Sequence, residues 1–184
     1  MIKRILALVF LSFFVLGLSS CGYTTRSMIS DQYKTIYITP FVNTIDITRE
    51  GDSGDKYQLN RPLTETEVTK AVSNRYLFDG NLKPVKEASA NMILVGQLVQ
   101  FRKDPLRYAD NTDDVTEYRV NIVVNLEMWD NAGAEKVLLW KEPGFTGETS
   151  YFVTGSQAIS EDQAVQNSIT DLARRIVERT VEQW

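Results

Sequence analysis

The chain has 184 residues, with 20 basic and 24 acidic side chains, a formal charge of −4, one cysteine and no histidine. That composition excludes an internal disulfide, the common zinc sites, Ser-His triads and Cys-His pairs. Its acidic balance argues against general nucleic-acid binding and against a broadly basic surface lying on anionic lipid.

The first element is apolar. Lys3 and Arg4 precede a run from Ile5 to Leu18. Those residues make roughly 21 Å of helix, short of the ~30 Å hydrocarbon core of a bilayer. A positive start, an apolar stretch of this length and then small residues read as a secretory signal, predicted over residues 1–20. The junction Leu18-Ser19-Ser20-Cys21 resembles a bacterial lipobox, in which the cysteine is acylated and becomes the new N-terminus. Cys21 is therefore the expected lipid anchor, carrying palmitate-type chains, and more than one acyl chain gives durable attachment. Gly22, where Gram-negative sorting places Asp to retain a lipoprotein in the inner membrane, is compatible with the outer membrane. Removing Lys3 and Arg4 from the 20 basic residues leaves 18 against 24 acidic, a formal −6.

Residues 21–32 are polar and small, a tether, and 33–184 are expected to form one α/β domain. "YKTIYITPF", Tyr33 to Phe41, alternates as a strand that Pro40 closes. Val42 to Leu59 reads as a long polar loop, whose acids lack calcium-loop spacing. Pro62 is expected in the first turn of a helix that runs to Asp79-Gly80, with Leu63, Val68, Ala71, Val72 and Arg75 along one side. "MILVGQLVQF", Met92 to Phe101, is predicted to be a central strand. From Tyr118 to Met128 every even position is apolar and four of five odd positions are polar, the pattern of a half-buried antiparallel strand. "DNAG" at Asp130 to Gly133 turns it into a fourth strand from Val137, interrupted at Pro143-Gly144 and so an edge or bulged strand. Ser160 and Gln163 fit a capping box for a last helix. Val165, Ile169, Leu172, Ile176 and Val177 line its inner side, and Arg174, Arg175, Glu178 and Arg179 its outer side. The expected fold is an α/β sandwich in the order β-α-β-β-β-α, a four-stranded mixed sheet with two helices on one face.

Four stretches then carry a family resemblance: "SCGY" at the anchor, "ITPFVNT" at the first strand's end, "DPLRYADNTDDVTEYRV" and "DLARRIVERTVEQW". Together they resemble the LPS-assembly lipoprotein family, LptE, over most of the chain after the signal. The resemblance implies a lipoprotein on the periplasmic face of the outer membrane. It also implies a large LptD-type β-barrel as partner, with the protein partly inside its lumen, and a role in inserting lipopolysaccharide into the outer leaflet. "YITPFVNT" is similar as well to the opening strand of curli-secretion and peptidoglycan-synthase-activating lipoproteins, but "VTEYRV" and the terminal Trp184 favour LptE.

The stretch from Arg102 to Glu117 is the expected contact tip. Arg102, Lys103, Arg107 and Arg119 are suited to phosphates, and Tyr108 to stacking or hydrogen bonding. Five acids, Asp104, Asp110, Asp113, Asp114 and Glu117, share that stretch. No pair of acids stands out for catalysis, no nucleotide or nucleophile motif is present, and the only non-protein group expected is the lipid on Cys21. The protein is read as a non-enzyme without metal or cofactor.

Overall fold

The computed structural model describes residues 32–45, 61–110 and 112–182. Cys21, the signal, almost all of the tether, residues 46–60 and Trp184 lie outside them. The elements are β1 (Thr35–Ile38), β2 (Val42–Asn43), α1 (Thr64–Asp79), β3 (Lys83–Pro84), β4 (Met92–Tyr108), β5 (Val115–Asp130), β6 (Val137–Phe152) and α2 (Glu161–Glu182). A short 3-10 turn, Glu87–Ser89, precedes β4.

The sheet has six strands rather than four. Its order is β3-β1-β4-β5-β6, and β2 pairs with β4 beyond the end of β1. β1 runs parallel to β3 and β4, and β4, β5 and β6 form an antiparallel meander. The two extra strands are two residues long, too short to carry any periodicity in sequence. β4 also runs past Phe101 to Tyr108, so Arg102 to Tyr108 belong to a strand and not to a loop. Pro105 is accommodated where the register shifts, between Pro105 and Arg107. β6 crosses Pro143-Gly144 on the sheet edge with a bulge that takes it from Phe145 opposite Val124 to Glu142 opposite Leu126.

Alternation in β5 decides the core. Val120, Ile122, Val124, Leu126 and Met128 are all fully buried on one face, each worth roughly 1.5–3 kcal/mol on leaving water. They join Ile36, Leu94, Leu98 and Phe101 from neighbouring strands, and residues of both helices, in one hydrophobic cluster. Both helices therefore cover the same face.

α1 starts at Thr64, not at Pro62, and Leu63 before it adopts φ 68°. Its buried stripe is Thr64, Val68, Val72 and Tyr76, an i, i+4 ridge, so Tyr76 takes the place expected for Arg75. Leu63 is exposed. Gly80 at φ 79° closes the helix, donating its N–H to the Tyr76 carbonyl. In α2 the Ser160 hydroxyl accepts the Gln163 N–H at 3.2 Å, but the Gln163 side chain donates to Asn167 instead of reaching back, so the capping box is half-formed. α2 meets β6 at Gly147, where a Cβ would overlap the Cα and Cβ of Leu172. No helix among the described residues is long and apolar enough to cross a membrane.

Strand directions give the domain two poles. β1 and β4 begin, and α1 and α2 end, at one of them, which the tether enters. The β4–β5 hairpin, the end of β6 and the start of α2 form the other.

Candidate functional site

The hairpin pole is built from strands that outrun the core. Beyond Phe101 and Val120 the ladder continues to Tyr108 opposite Val115. The turn is held by the Ala109 N–H donating to the Asp114 carbonyl at 2.8 Å. Because side chains alternate along a strand, the five expected contact residues divide between two faces.

Lys103 shares the helix-covered face with Phe101. Its ammonium bonds the Glu161 carboxylate at the start of α2 and lies 4.3 Å from the centre of the Tyr118 ring. Tyr118 stacks on Tyr151 at 6.0 Å, and the Tyr151 hydroxyl donates to Glu161 at 3.4 Å. Burial lowers the Lys103 pKa, but the hydrogen bond and charge of Glu161 outweigh it and the ammonium holds its proton above the usual lysine range. Burial raises the Tyr151 hydroxyl and keeps it neutral.

Arg102, Arg107 and Arg119 occupy the open face, each facing an acid. Arg102 grips Asp104 at 2.8 Å, and Asp104 also accepts from the Asn121 amide at 2.7 Å. Arg107 lies 3.5 Å from Glu117 and over the Phe152 ring at 5.6 Å. Arg119 lies 3.6 Å from Glu148. Arg107 and Arg119 are the loosely paired members, with side chains 66% and 42% exposed, against 32% for Arg102 and 24% for Lys103. Tyr108 is exposed at the tip and makes no stacking contact with another ring among the described residues.

The sequence did not disclose these partners. Glu161, Glu148 and Tyr151 come from other elements, and only the period-2 parity of Arg102, Asp104, Arg119 and Asn121 hinted that they share a face. Beside the hairpin, a cavity of about 490 Å³ opens between the starts of the two helices, lined by Arg61, Leu63, Phe101, Glu161, Asp162 and Val165 among others. Arg61 there binds Asp162 at 3.0 Å and Glu67 at 3.6 Å, so its charge is already matched. Among the described residues no group of three or more His, Cys, Asp or Glu is placed to hold a metal ion. Among the described residues of this pole, Arg107 and Arg119 are the arginines most open to an anion.

No curated protein sequence matches the chain. In structure it is similar to the hypothetical protein CT253 from Chlamydia trachomatis at 12% identity and a TM-score of 0.51, covering 80% of this chain and 95% of that one. It is similar to protein XCC0632 from Xanthomonas campestris at 12% identity and a TM-score of 0.50, covering 86% and 91%. Rare lipoprotein B from Shewanella oneidensis matches at 19% identity and a TM-score of 0.42, covering 78% and 92%. The first two likenesses show a shared fold. The sequence goes further, because the LptE family model, lipopolysaccharide assembly, matches residues 33–184, a span that holds all six strands, both helices and the hairpin. The chain belongs to the LptE family of lipopolysaccharide-assembly proteins.

Proposed function

We propose that this protein is an outer-membrane lipoprotein, acylated on Cys21 and facing the periplasm, that partners and plugs an LptD-type β-barrel and assists lipopolysaccharide insertion. The supporting observation is the charge arrangement of the hairpin pole. Its core residues are sealed under two helices, with Leu106, Tyr108 and Val153 left exposed, and Arg102, Lys103, Arg107 and Arg119 each have a carboxylate beside them. Such a surface is polar yet locally neutral, which suits a wet barrel lumen that an apolar patch would not. The reading assigns the protein no catalytic step and no cofactor besides the lipid.

Within the site, Arg102 and Lys103 act as structural residues. Arg107 and Arg119 are the lipopolysaccharide phosphate contacts, and Tyr108 touches the barrel or the ligand. A photo-crosslinker in place of Tyr108 should trap lipopolysaccharide or the barrel in intact cells, and trapping of neither contradicts this placement. Cys21→Ser should release a folded domain from the membrane. Continued membrane fractionation in cells lacking the barrel contradicts the anchor.

A further inference from the structure

The pole opposite the hairpin has a different surface. Leu77 and Phe78, consecutive at the end of α1, are 62% and 82% exposed, and Phe78 is the most exposed of the large hydrophobic side chains among the described residues. The Arg75 guanidinium covers its ring at 5.4 Å. The Gly80 turn leads directly into β3, where the Lys83 N–H donates to the Lys34 carbonyl, so Phe78, Lys83 and Lys34 surround one end of the domain. Lys34, Lys83 and Lys86 are all exposed, and none forms an ion pair among the described residues. Of the acids nearby, Glu87 binds Lys136 at 2.8 Å, while Asp79 and Asp130 accept from neutral donors, the Asn81 amide and the Tyr33 hydroxyl at 2.7 Å, and neither they nor Glu135 form an ion pair among the described residues. The two poles thus differ in kind: the hairpin's cations are matched, and these lysines are not.

This is also the end at which the chain leaves the domain. From Tyr33 back to Cys21 is twelve residues, at most about 40 Å of extended chain. An acylated Cys21 keeps this pole within about 40 Å of the bilayer.

We propose that the tether pole is a lipid-contact surface, with Phe78 and Leu77 seated at the boundary of headgroups and acyl chains and with Lys34, Lys83 and Lys86 against lipid phosphates. The proposal rests on the anchor reading of Cys21, and in the plugged barrel it places this pole outside the lumen, beyond the barrel's periplasmic rim. An exposed aromatic beside uncompensated lysines is the chemistry of an interfacial contact: the ring loses water, and each ammonium meets an anionic headgroup. A protein partner would supply carboxylates for the same lysines, and the test separates the two. The overall negative charge is not an obstacle, because the attraction acts only within a Debye length of the surface.

The test uses the full acylated protein with Phe78→Trp, in vesicles of phosphatidylethanolamine and phosphatidylglycerol carrying brominated acyl chains. Flotation reports the anchor, and quenching of the introduced indole, compared with the parent protein, reports the surface. The expected result is flotation with emission falling about twofold in brominated lipid, as for an interfacial tryptophan. That quenching should be lost when Lys34, Lys83 and Lys86 are all changed to Glu while flotation persists. Flotation without quenching overturns the surface and leaves the anchor. Failure to float overturns both. Burial of the indole only when an outer-membrane barrel is added, and not in lipid alone, overturns the lipid assignment in favour of a protein partner.

Discussion

Lys103 on β4 binds Glu161, the first residue of α2, across 58 positions of sequence. The pair ties the hairpin to the helix that closes the core, and Tyr118 and Tyr151 pack against it. Because both partners are partly exposed, a double-mutant cycle of Lys103→Met and Glu161→Gln should give a coupling of about 0.5–1 kcal/mol in denaturant unfolding. Zero coupling would mean that the hairpin is not held this way.

The raised Lys103 pKa has a pH consequence. A cation whose pKa is higher when folded contributes its stability fully below the lysine value of 10.5 and loses it as pH climbs through the folded value. Tyr76 acts in the same direction. It is fully buried, its hydroxyl shares a hydrogen bond with Thr180 at 2.8 Å, and burial pushes its pKa well above 10.0, so only the neutral phenol fits. Stability should therefore be lost above about pH 10. Tyr76→Phe should cost about 0.5–1.5 kcal/mol at pH 7 and flatten that alkaline loss. Unfolding midpoints from pH 7 to 11 check both, and an unchanged alkaline limb in the variant contradicts the assignment.

Arg107 and Arg119 are separable from Arg102. Removing a charged contact to a phosphate typically weakens binding roughly tenfold or more. Arg107→Ala and Arg119→Ala should each weaken lipopolysaccharide binding to that extent with little change in stability. Arg102→Ala should leave binding intact and destabilise the hairpin, since Asp104 then loses its guanidinium. Binding by the three variants at matched salt decides it, and an equal loss in all three points to a diffuse charge effect.

Gly147 tests the packing of α2 on the sheet edge. Because a Cβ there would overlap backbone and Cβ atoms of Leu172, Gly147→Ala must displace the helix and should cost about 1–3 kcal/mol. Thermal unfolding measures this, and a neutral substitution would show that α2 sits farther from β6.

What the sequence made legible was whatever repeats. β5 and α2 bury their apolar residues at strict periods over more than ten positions, and those positions are the buried ones. Where periodicity is weak, the reading failed. α1 carries Leu77 and Phe78 on its exposed side, which disguises the ridge ending at Tyr76. β2 and β3 are defined by backbone pairing with β4 and β1, not by any side-chain pattern. β4 looked finished at Phe101 because Arg102 to Tyr108 turns polar and includes Pro105, yet β5 continues alongside and carries it on. At the site, the basic residues were visible in the sequence but their neutralisation was not. Asp104 and Glu117 are near in chain or register, while Glu148 and Glu161 arrive from β6 and α2.

The account turns on partnership with a barrel, and the most direct measurement is a gentle detergent pull-down of the acylated protein from its own envelope, with mass spectrometry of what co-purifies. The account predicts a stoichiometric large β-barrel of the LptD type, with lipopolysaccharide. Recovery of a peptidoglycan synthase, or of no barrel at all, would contradict it.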